Sequence, residues 1–437
     1  MAASYRKQSV GENNIKVATT RHWEVHIILD PRVFDCNRCF HCEMLARAVK
    51  MTLLLVFSAT LLIAVLISDI AERSVVSTAL LFLAAGFLAG KGLFGPAPEP
   101  SPRFLERLSE IALFSVLFTD GIRTGGIQSI LKSWHLPGRV LLIGMPLTII
   151  GIALGAHYLL SAPWRHSFLV ASVLSPTDPV FVAAIFRFEA VPERIKRLLN
   201  IESGLNDGLA LPAVLLLLAQ LSGRGQHIPN IAFELLLGIF IGIAVPWFGI
   251  HLEESRFFKA VGLFKPLNAF ALGLLVLAIC YRTGANLFLG AFAAGVSVAS
   301  FGSSVAESFE RFGELIAELL KLAALMIFGA VIAPGILATL YARDYLFILI
   351  AIFVVRPIAI AASLVSTELS WREILLTGWF GPKGFASVVY GLLILQAGMS
   401  HLAHLVGLAV TASIVVYSST DMLIGRWFEK HHPAASG

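Results

Sequence analysis

The stretch Ile201-Glu-Ser-Gly-Leu-Asn-Asp-Gly208 places two carboxylates and an amide inside a segment that is otherwise apolar enough to cross a bilayer. At helical spacing Glu202 and Asn206 lie four residues apart, as do Ser203 and Asp207, so the four polar side chains share one stripe. Ionisable groups at membrane depth face a bundle interior or a cavity rather than lipid. The stretch therefore predicts a buried polar site within a membrane-spanning helix.

A second acidic group precedes this stretch, in Ser175-Pro-Thr-Asp-Pro179. The two prolines must interrupt their helix, because proline lacks a backbone N–H and clashes with the preceding turn. Interrupted helices at membrane depth are tolerated where the free backbone is buried in protein or lines a cavity. Asp178 and Asp207 together indicate an ion pathway.

Composition limits the class of protein. The 437 residues are 57% hydrophobic and 14% charged, with a mean hydropathy of +0.81, which is too apolar for a soluble globule. We expect an all-α polytopic membrane protein whose partner is the lipid bilayer. A net charge of +5 without a long basic run gives no support for a nucleic-acid partner, and no motif suggests a cofactor or nucleotide-driven pumping.

Apolar runs long enough to span a bilayer predict about thirteen transmembrane helices. They lie near residues 52–69, 74–91, 107–122, 139–160, 166–187, 195–219, 231–250, 266–283, 285–302, 313–336, 344–366, 371–396 and 402–425. Short loops join them, so residues 51–430 are expected to form one transmembrane domain, followed by a tail at 431–437.

Two of these spans contain conspicuous interruptions, span 5 at Pro176 and Pro179 and span 12 at Gly381-Pro-Lys-Gly384. Seven spans separate them, as expected if about 52–219 and about 266–425 are two six-helix repeats joined by a linker helix at about 231–250. An odd offset inverts one repeat relative to the other, and crossing discontinuous helices in inverted repeats are typical of secondary transporters. Asp178 and Lys383 are placed to offset the partial charges of the broken helix ends.

Orientation follows from the loop charges. Loops after odd-numbered spans carry fifteen Lys or Arg and loops after even-numbered spans carry seven. The positive-inside bias predicts a cytoplasmic C-terminus, and we expect the plasma (inner) membrane.

Residues 1–50 form a polar N-terminal extension that we expect to be disordered or absent from the natural product, since Met51 resembles a natural start. Cys36, Cys39 and Cys42 have a spacing that suits zinc or iron-sulfur ligation, but a fourth ligand is not evident. We therefore expect no metal other than a transported cation.

At this point the residues resemble a known family, the Na⁺/H⁺ exchanger-type monovalent cation:proton antiporters, in the branch with an Asn-Asp motif. The resemblance covers about residues 52 to 425. Its markers occur in the family's order: Thr177-Asp178-Pro179, Glu202-Ser203, Asn206-Asp207, Arg356-Pro357 and the Gly-Pro-Lys-Gly break.

The resemblance implies a role for each marker residue. Asp207 is similar to the carboxylate that takes either the cation or the proton, and Thr177, Asp178 and Ser203 to its companions in coordination. Asn206 stands where the electrogenic branch carries a second aspartate, which implies electroneutral exchange. The resemblance also implies that Glu202 and Arg356 form a structural ion pair. It implies that Lys383, where many relatives have arginine, compensates the charges of the broken helix ends. It implies a homodimer as well.

The chemistry of the residues agrees with an antiporter. Na⁺ and Li⁺ want several oxygen ligands, and a carboxylate that holds a proton cannot hold the metal ion, so competition for one site couples the two fluxes. Ligand radius is invisible in the sequence, so K⁺ remains an alternative substrate. A cation channel and an intramembrane aspartyl protease are less favoured alternatives. We expect Asp120, Arg123, Glu318 and Lys321 only to pair or snorkel at helix ends.

Overall fold

A computed structural model of the protein describes residues 40–68, 78–90, 101–178, 191–222, 228–253 and 264–431. All regular secondary structure within these ranges is helical. The helices are α1 (Phe40–Leu66), α2 (Thr78–Gly90), α3 (Pro102–Arg123), α4 (Gly126–Lys132), α5 (His135–Leu160), α6 (Trp164–Leu174), α7 (Glu193–Leu221), α8 (Ile228–Glu253), α9 (Phe264–Thr283), α10 (Leu287–Phe301), α11 (Ser303–Val331), α12 (Ala333–Thr339), α13 (Ala342–Leu364), α14 (Trp371–Trp379), α15 (Phe385–Gln396) and α16 (Ser400–His431).

These helices confirm the predicted all-α polytopic fold. In the described ranges, seven helices are long and apolar enough to cross a membrane, and four shorter apolar helices accompany them. The total of thirteen spans stays a prediction. The first helix begins at Phe40, before the predicted start of the first span at residue 52. Residues 1–39 lie outside the described chain, and with them two of the three cysteines considered as metal ligands, Cys36 and Cys39; the side chain of Cys42 is not described either.

Both predicted interruptions are present. Helix α6 ends at Leu174, and residues 175–178 leave the helical conformation; Pro179 and the rest of span 5 lie outside the described residues. Helix α14 ends at Trp379, and residues 380–384 are non-helical before α15 begins. The interruptions therefore fall at the proline-bearing motifs that predicted them.

A second matching irregularity occurs in the helices just before the two breaks. Helix α5 contains a π-helical turn at Val140–Gly144, and α13 contains one at Ala351–Val355. Each turn is followed closely by a proline, Pro146 or Pro357, which removes one donor from the helical hydrogen-bond ladder. In the predicted count these are spans 4 and 11, again seven apart, as the two interruptions are.

The bundle is held together by close helix contacts at small residues. Helices α3 and α10 meet at Gly121 and Gly295, where a Cβ on Gly295 would lie 2.1 Å from the carbonyl oxygen of Phe118. Only glycine allows this approach, as expected for packing between membrane helices. The contact fixes the C-terminal end of α3, which carries Asp120, beside the centre of the bundle.

Two cavities are each lined by helix ends that the predicted topology places on the same side of the membrane. One cavity is lined by Arg123 at the end of α3, Glu193 at the start of α7 and Arg311 near the start of α11, all predicted on the cytoplasmic side. Another is lined by the end of α5, the start of α13 and the start of α16, all predicted on the opposite side.

Candidate ion-binding site

The two interrupted segments cross each other and satisfy each other's free backbone groups. The N–H of Asp178 donates to the carbonyl of Pro382 at 3.1 Å. In return, the N–H of Phe385 in the first turn of α15 donates to Oδ2 of Asp178 at 3.2 Å, and Ser387 Oγ donates to the carbonyl of Val173 near the end of α6 at 2.7 Å. A carboxylate thus lies at the positive end of one half-helix, and a hydroxyl caps the negative end of the other.

The glycines of the break are required by side chains that approach the backbone. A Cβ on Gly384 would lie 2.2 Å from Cβ of Asp178, and a Cβ on Gly381 would lie 1.7 Å from Nε of Arg356. Neither distance is possible for a real atom pair. The Gly-x-x-Gly spacing therefore admits the carboxylate of one helix and the guanidinium of another to the same interruption.

Helix α7 presents its polar stripe to the interruption after α6. Ser203 Oγ donates to the carbonyl of Thr177 at 2.9 Å. Asn206 Nδ2 donates to the same carbonyl at 3.1 Å and to Oγ1 of Thr177 at 2.8 Å. All three residues are buried, and the second amide atom of Asn206, Oδ1, is buried without a hydrogen-bond donor among the described residues. The stripe fastens the unwound segment to α7 and leaves one oxygen ligand free.

Asp207 lies beside this cluster and is only 5% exposed. Its backbone carbonyl accepts a hydrogen bond from the hydroxyl of Tyr390 at 3.4 Å, and the ring of Phe292 packs against the next residue, Gly208. Within the described part of the chain, its carboxylate accepts no hydrogen bond and forms no ion pair. A buried carboxylate without a protein partner is costly, so a bound proton or cation would stabilise it.

Glu202 and Arg356 form a buried ion pair, as the resemblance implied. The Arg356 Nη2 to Glu202 Oε1 distance is 2.8 Å, and both side chains are almost fully enclosed. Arg356 Nη2 also donates to the carbonyl of Phe380, the residue that follows α14, at 3.2 Å. One guanidinium thus ties α13, α7 and the end of α14 together.

Lys383 has a different environment from the one expected. Its backbone N–H donates to Ser413 Oγ at 2.6 Å, and its side chain is fully buried. The ammonium has no hydrogen-bond partner among the described residues, and the charges that act on it are those of Arg356 and Glu202. Asp178 therefore accepts a hydrogen bond at the N-terminus of α15, whereas Lys383 is located near the buried ion pair of Glu202 and Arg356.

A charged cavity near the site was not predicted from the sequence. It has a volume of about 940 Å³, and its lining includes Asp120 of α3 together with Glu318 and Lys321 of α11. Arg123 pairs with Glu314 at its wall, with Nη2 2.6 Å from Oε1. Charges on Asp120, Asp178 and Lys321 act on Asp207. Glu318 follows Glu314 by four residues, and Lys321 follows Glu318 by three, so the sequence does indicate a charged face on this helix. It does not indicate which neighbouring helix that face contacts.

Comparison with known proteins agrees with the geometry. Residues 57–428 match the family described as sodium/hydrogen exchanger, transmembrane. The K⁺/H⁺ antiporter NhaP of Alkalimonas amylolytica is 25% identical over 398 residues, which cover 89% of this chain and 69% of that protein. The Na⁺/H⁺ antiporter ApNhaP of Aphanothece halophytica is 28% identical over 267 residues, covering 57% of this chain and 51% of the relative. The chain thus spans about half to two thirds of the length of these relatives.

The fold has a solved counterpart. The sodium proton antiporter MjNhaP1 from Methanocaldococcus jannaschii superposes with a TM-score of 0.69 at 16% sequence identity, and the match covers 87% of this chain and 99% of that one. At this identity the likeness concerns the fold. Because the family match extends over most of its length, the chain belongs to the sodium/hydrogen exchanger family, whose members are multi-pass membrane transporters and not enzymes.

Proposed function

We propose that this protein exchanges Na⁺ or Li⁺ for H⁺ across a membrane by alternating access, with both ions competing for Asp207. The observation that carries the proposal is the buried Asp207 carboxylate, which has no protein partner among the described residues and lies beside the crossing of two broken helices. Such crossings are where secondary transporters bind ions.

The cluster of residues next to Asp207 offers oxygen atoms suited to a small hard cation. Asn206 Oδ1 has no donor, and the hydroxyls of Thr177 and Ser203 lie in the same cluster. Asp178 contributes a further carboxylate while its Oδ2 accepts the N–H of Phe385. Hard monovalent cations need several such ligands, and protonation of Asp207 would remove the strongest of them. One site therefore serves both ions in turn.

The proposed stoichiometry is one cation for one proton. Asn206 is neutral, and its amide is committed to Thr177, so Asp207 is the only carboxylate of the Asn-Asp pair that can exchange. The buried charges of Glu202 and Arg356 compensate each other. If the empty, charged site crosses the membrane poorly and either occupied form crosses readily, exchange is obligatory and carries no net charge.

We propose that the motion involves two inverted repeats, at about 52–219 and about 266–425, joined by the helix at about 231–250. The matching breaks and the matching π-helical turns support this division. We further propose a homodimer in the plasma membrane with a cytoplasmic C-terminus, in which exchange serves pH homeostasis. The loop charges support the orientation, and the resemblance to the family supports the dimer.

Exchange of K⁺ by the same mechanism is the second candidate. The relatives include proteins named as K⁺/H⁺ and as Na⁺/H⁺ antiporters, so kinship does not choose between the cations. A channel is disfavoured because two broken helices that cross and bond to each other are typical of alternating access rather than of a continuous pore. An aspartyl protease is disfavoured because Asp178 is engaged with the N-terminus of α15 and is not a free partner for Asp207.

The test is proton flux in proteoliposomes that contain an internal pH dye. Addition of Na⁺, Li⁺ or K⁺ should dissipate an imposed pH gradient with wild type, and Asp207→Asn should reduce the rate to that of empty vesicles. Asp344→Asn is the matched control, because this buried aspartate caps α13 far along the chain from the site and its loss should leave exchange in place. Exchange by Asp207→Asn at the wild-type rate would refute the assignment, and absence of coupled flux in wild type with all three cations would refute the function.

A further inference from the structure

Lys321 is one of several charged residues of the cavity that the exchange mechanism above does not use. It lines the cavity together with Asp120, and the backbone of Asp120 packs near Gly204, about one turn before Asp207 on α7. The same cavity is lined by Lys196 near the N-terminus of α7 and by Arg311 near the N-terminus of α11.

The Lys321 ammonium has carboxylates around it but pairs with none of them directly. In the described part of the chain it forms no ion pair and no hydrogen bond, although Asp120, Asp178 and Glu318 all act on it electrostatically. By contrast, Arg123 is held by Glu314 at 2.6 Å, and Lys196 is held by Glu193 at 3.0 Å. Lys321 is therefore a positive charge that the acidic cluster attracts without fixing it.

Helices α2, α3, α9, α10, α12 and α15 pack against α11. Helices α2, α10 and α15 carry no charged residue, and α9 carries Lys265 and Arg282 only at its two ends. The charged or titratable groups that face the cavity or act on Lys321 are Asp120, Arg123, Asp178, Glu193, Lys196, Arg197, Asp207, Glu310, Arg311, Glu314 and Glu318. Lys321 is close enough to Asp207 for its positive charge to oppose those of Asp120 and Asp178 there.

We propose that Lys321 is a built-in counter-cation that sets the affinity of the Asp207 site for both transported ions. This inference rests on the proposed exchange at Asp207. A fixed positive charge near the site repels an entering metal ion and an entering proton alike, so it weakens both without favouring one. The site would then stay unsaturated over a wider range of cation concentration, which keeps the exchange rate responsive to concentration.

The experiment measures cation-dependent proton flux in proteoliposomes over a range of cation concentration and pH. Removal of the charge in Lys321→Gln and Lys321→Met should lower the KM for the cation about ten-fold at alkaline pH, where the proton does not compete, and should move the pH of half-maximal exchange upward by about one unit. The two changes arise together, because both bound ions lose the same repulsion. Lys321→Arg keeps the charge and should keep KM within about two-fold of wild type.

Lys196→Gln is the matched control. It removes one positive charge from the same cavity, but at a position where Lys196 is already neutralised by Glu193, so its effect on KM should be under about two-fold. A structural role for Lys321 would lower Vmax in the Gln and Met variants and leave KM and the pH profile unshifted.

Three results would overturn the proposal: an unchanged KM, a higher KM, or equal effects of the Lys321 and Lys196 variants. Each is distinguishable from failure of the proposed function. If Lys321→Gln behaves as wild type while Asp207→Asn abolishes exchange, Asp207 still binds the transported ions but Lys321 does not set their affinity. If wild type shows no coupled flux, the proposed function fails first.

Discussion

At the residue scale, the buried polar groups divide into those that hold the site and those that are left for ions. Asn206, Ser203 and Thr177 bond to one another, and Glu202 is paired with Arg356. Asp207 has no such partner among the described residues. The division follows from the cost of burying a charge, which is acceptable for a pair in good geometry and high for a single carboxylate.

Loss of one member of the buried ion pair should be strongly destabilising. Arg356→Ala leaves Glu202 as an uncompensated charge in the bundle and frees the carbonyl of Phe380, so we expect a loss of about 3–5 kcal/mol in the free energy of unfolding. Thermal unfolding of the purified protein in detergent measures it. The double variant Glu202→Ala, Arg356→Ala should recover part of the loss, because no charge is then left unpaired.

The exposed pair Arg107 with Glu110 provides the control for this prediction. The Arg107 side chain is 65% exposed, so Arg107→Ala should cost far less than Arg356→Ala. A cost for Arg356→Ala no larger than that of the exposed pair would show that the buried pair does not brace α7, α13 and α14.

At the element scale, the two interrupted helices act as one unit because each supplies what the other lacks. Asp178 lies at the N-terminus of α15, and Ser387 caps the carbonyl end of α6. Glycine at position 384 is needed for this contact, since a Cβ there would overlap that of Asp178. The crossing is therefore a steric as well as an electrostatic match.

Gly384→Ala should separate the two segments and abolish exchange. The added methyl group cannot fit 2.2 Å from Cβ of Asp178, so the carboxylate must leave the α15 terminus. Proteoliposome flux measures the effect, and size-exclusion chromatography in detergent establishes that the variant is folded. Gly155→Ala is the control, since its methyl group would lie 3.3 Å from the ring of Phe347, which can shift. Full exchange by a folded Gly384→Ala protein would contradict the described crossing.

The sequence predicted the elements of the site better than their contacts. Proline and glycine fixed both interruptions locally, and helical spacing put Ser203, Asn206 and Asp207 on one face, because these effects act within one segment. The charged cavity was missed because it depends on where α3 and α11 pack, which local patterns do not encode. The same reason explains Lys383, whose position in the break was predicted but whose neighbours, Arg356 and Glu202, were not.

At the scale of the whole molecule, symmetry and charge give the bundle its transporter character. The breaks and the π-helical turns recur seven predicted spans apart, and one charged cavity on the side predicted to be cytoplasmic is lined by Asp120, whose backbone packs near Gly204 of α7. The proposed inverted repeats predict that a corresponding cavity opens on the opposite face in the alternate state. With Asn206 neutral, one full cycle should move no net charge.

The measurement that tests the central claim most directly is the dependence of cation KM on pH in proteoliposomes, with the membrane voltage clamped by K⁺ and valinomycin and Na⁺ or Li⁺ as substrate. Competition for Asp207 predicts that KM rises about ten-fold for each unit of pH decrease on the acid side, that Vmax stays constant, and that release of the clamp changes neither value. A Vmax that falls with pH at constant KM, or a rate that depends on the clamp, would contradict competition for one electroneutral site.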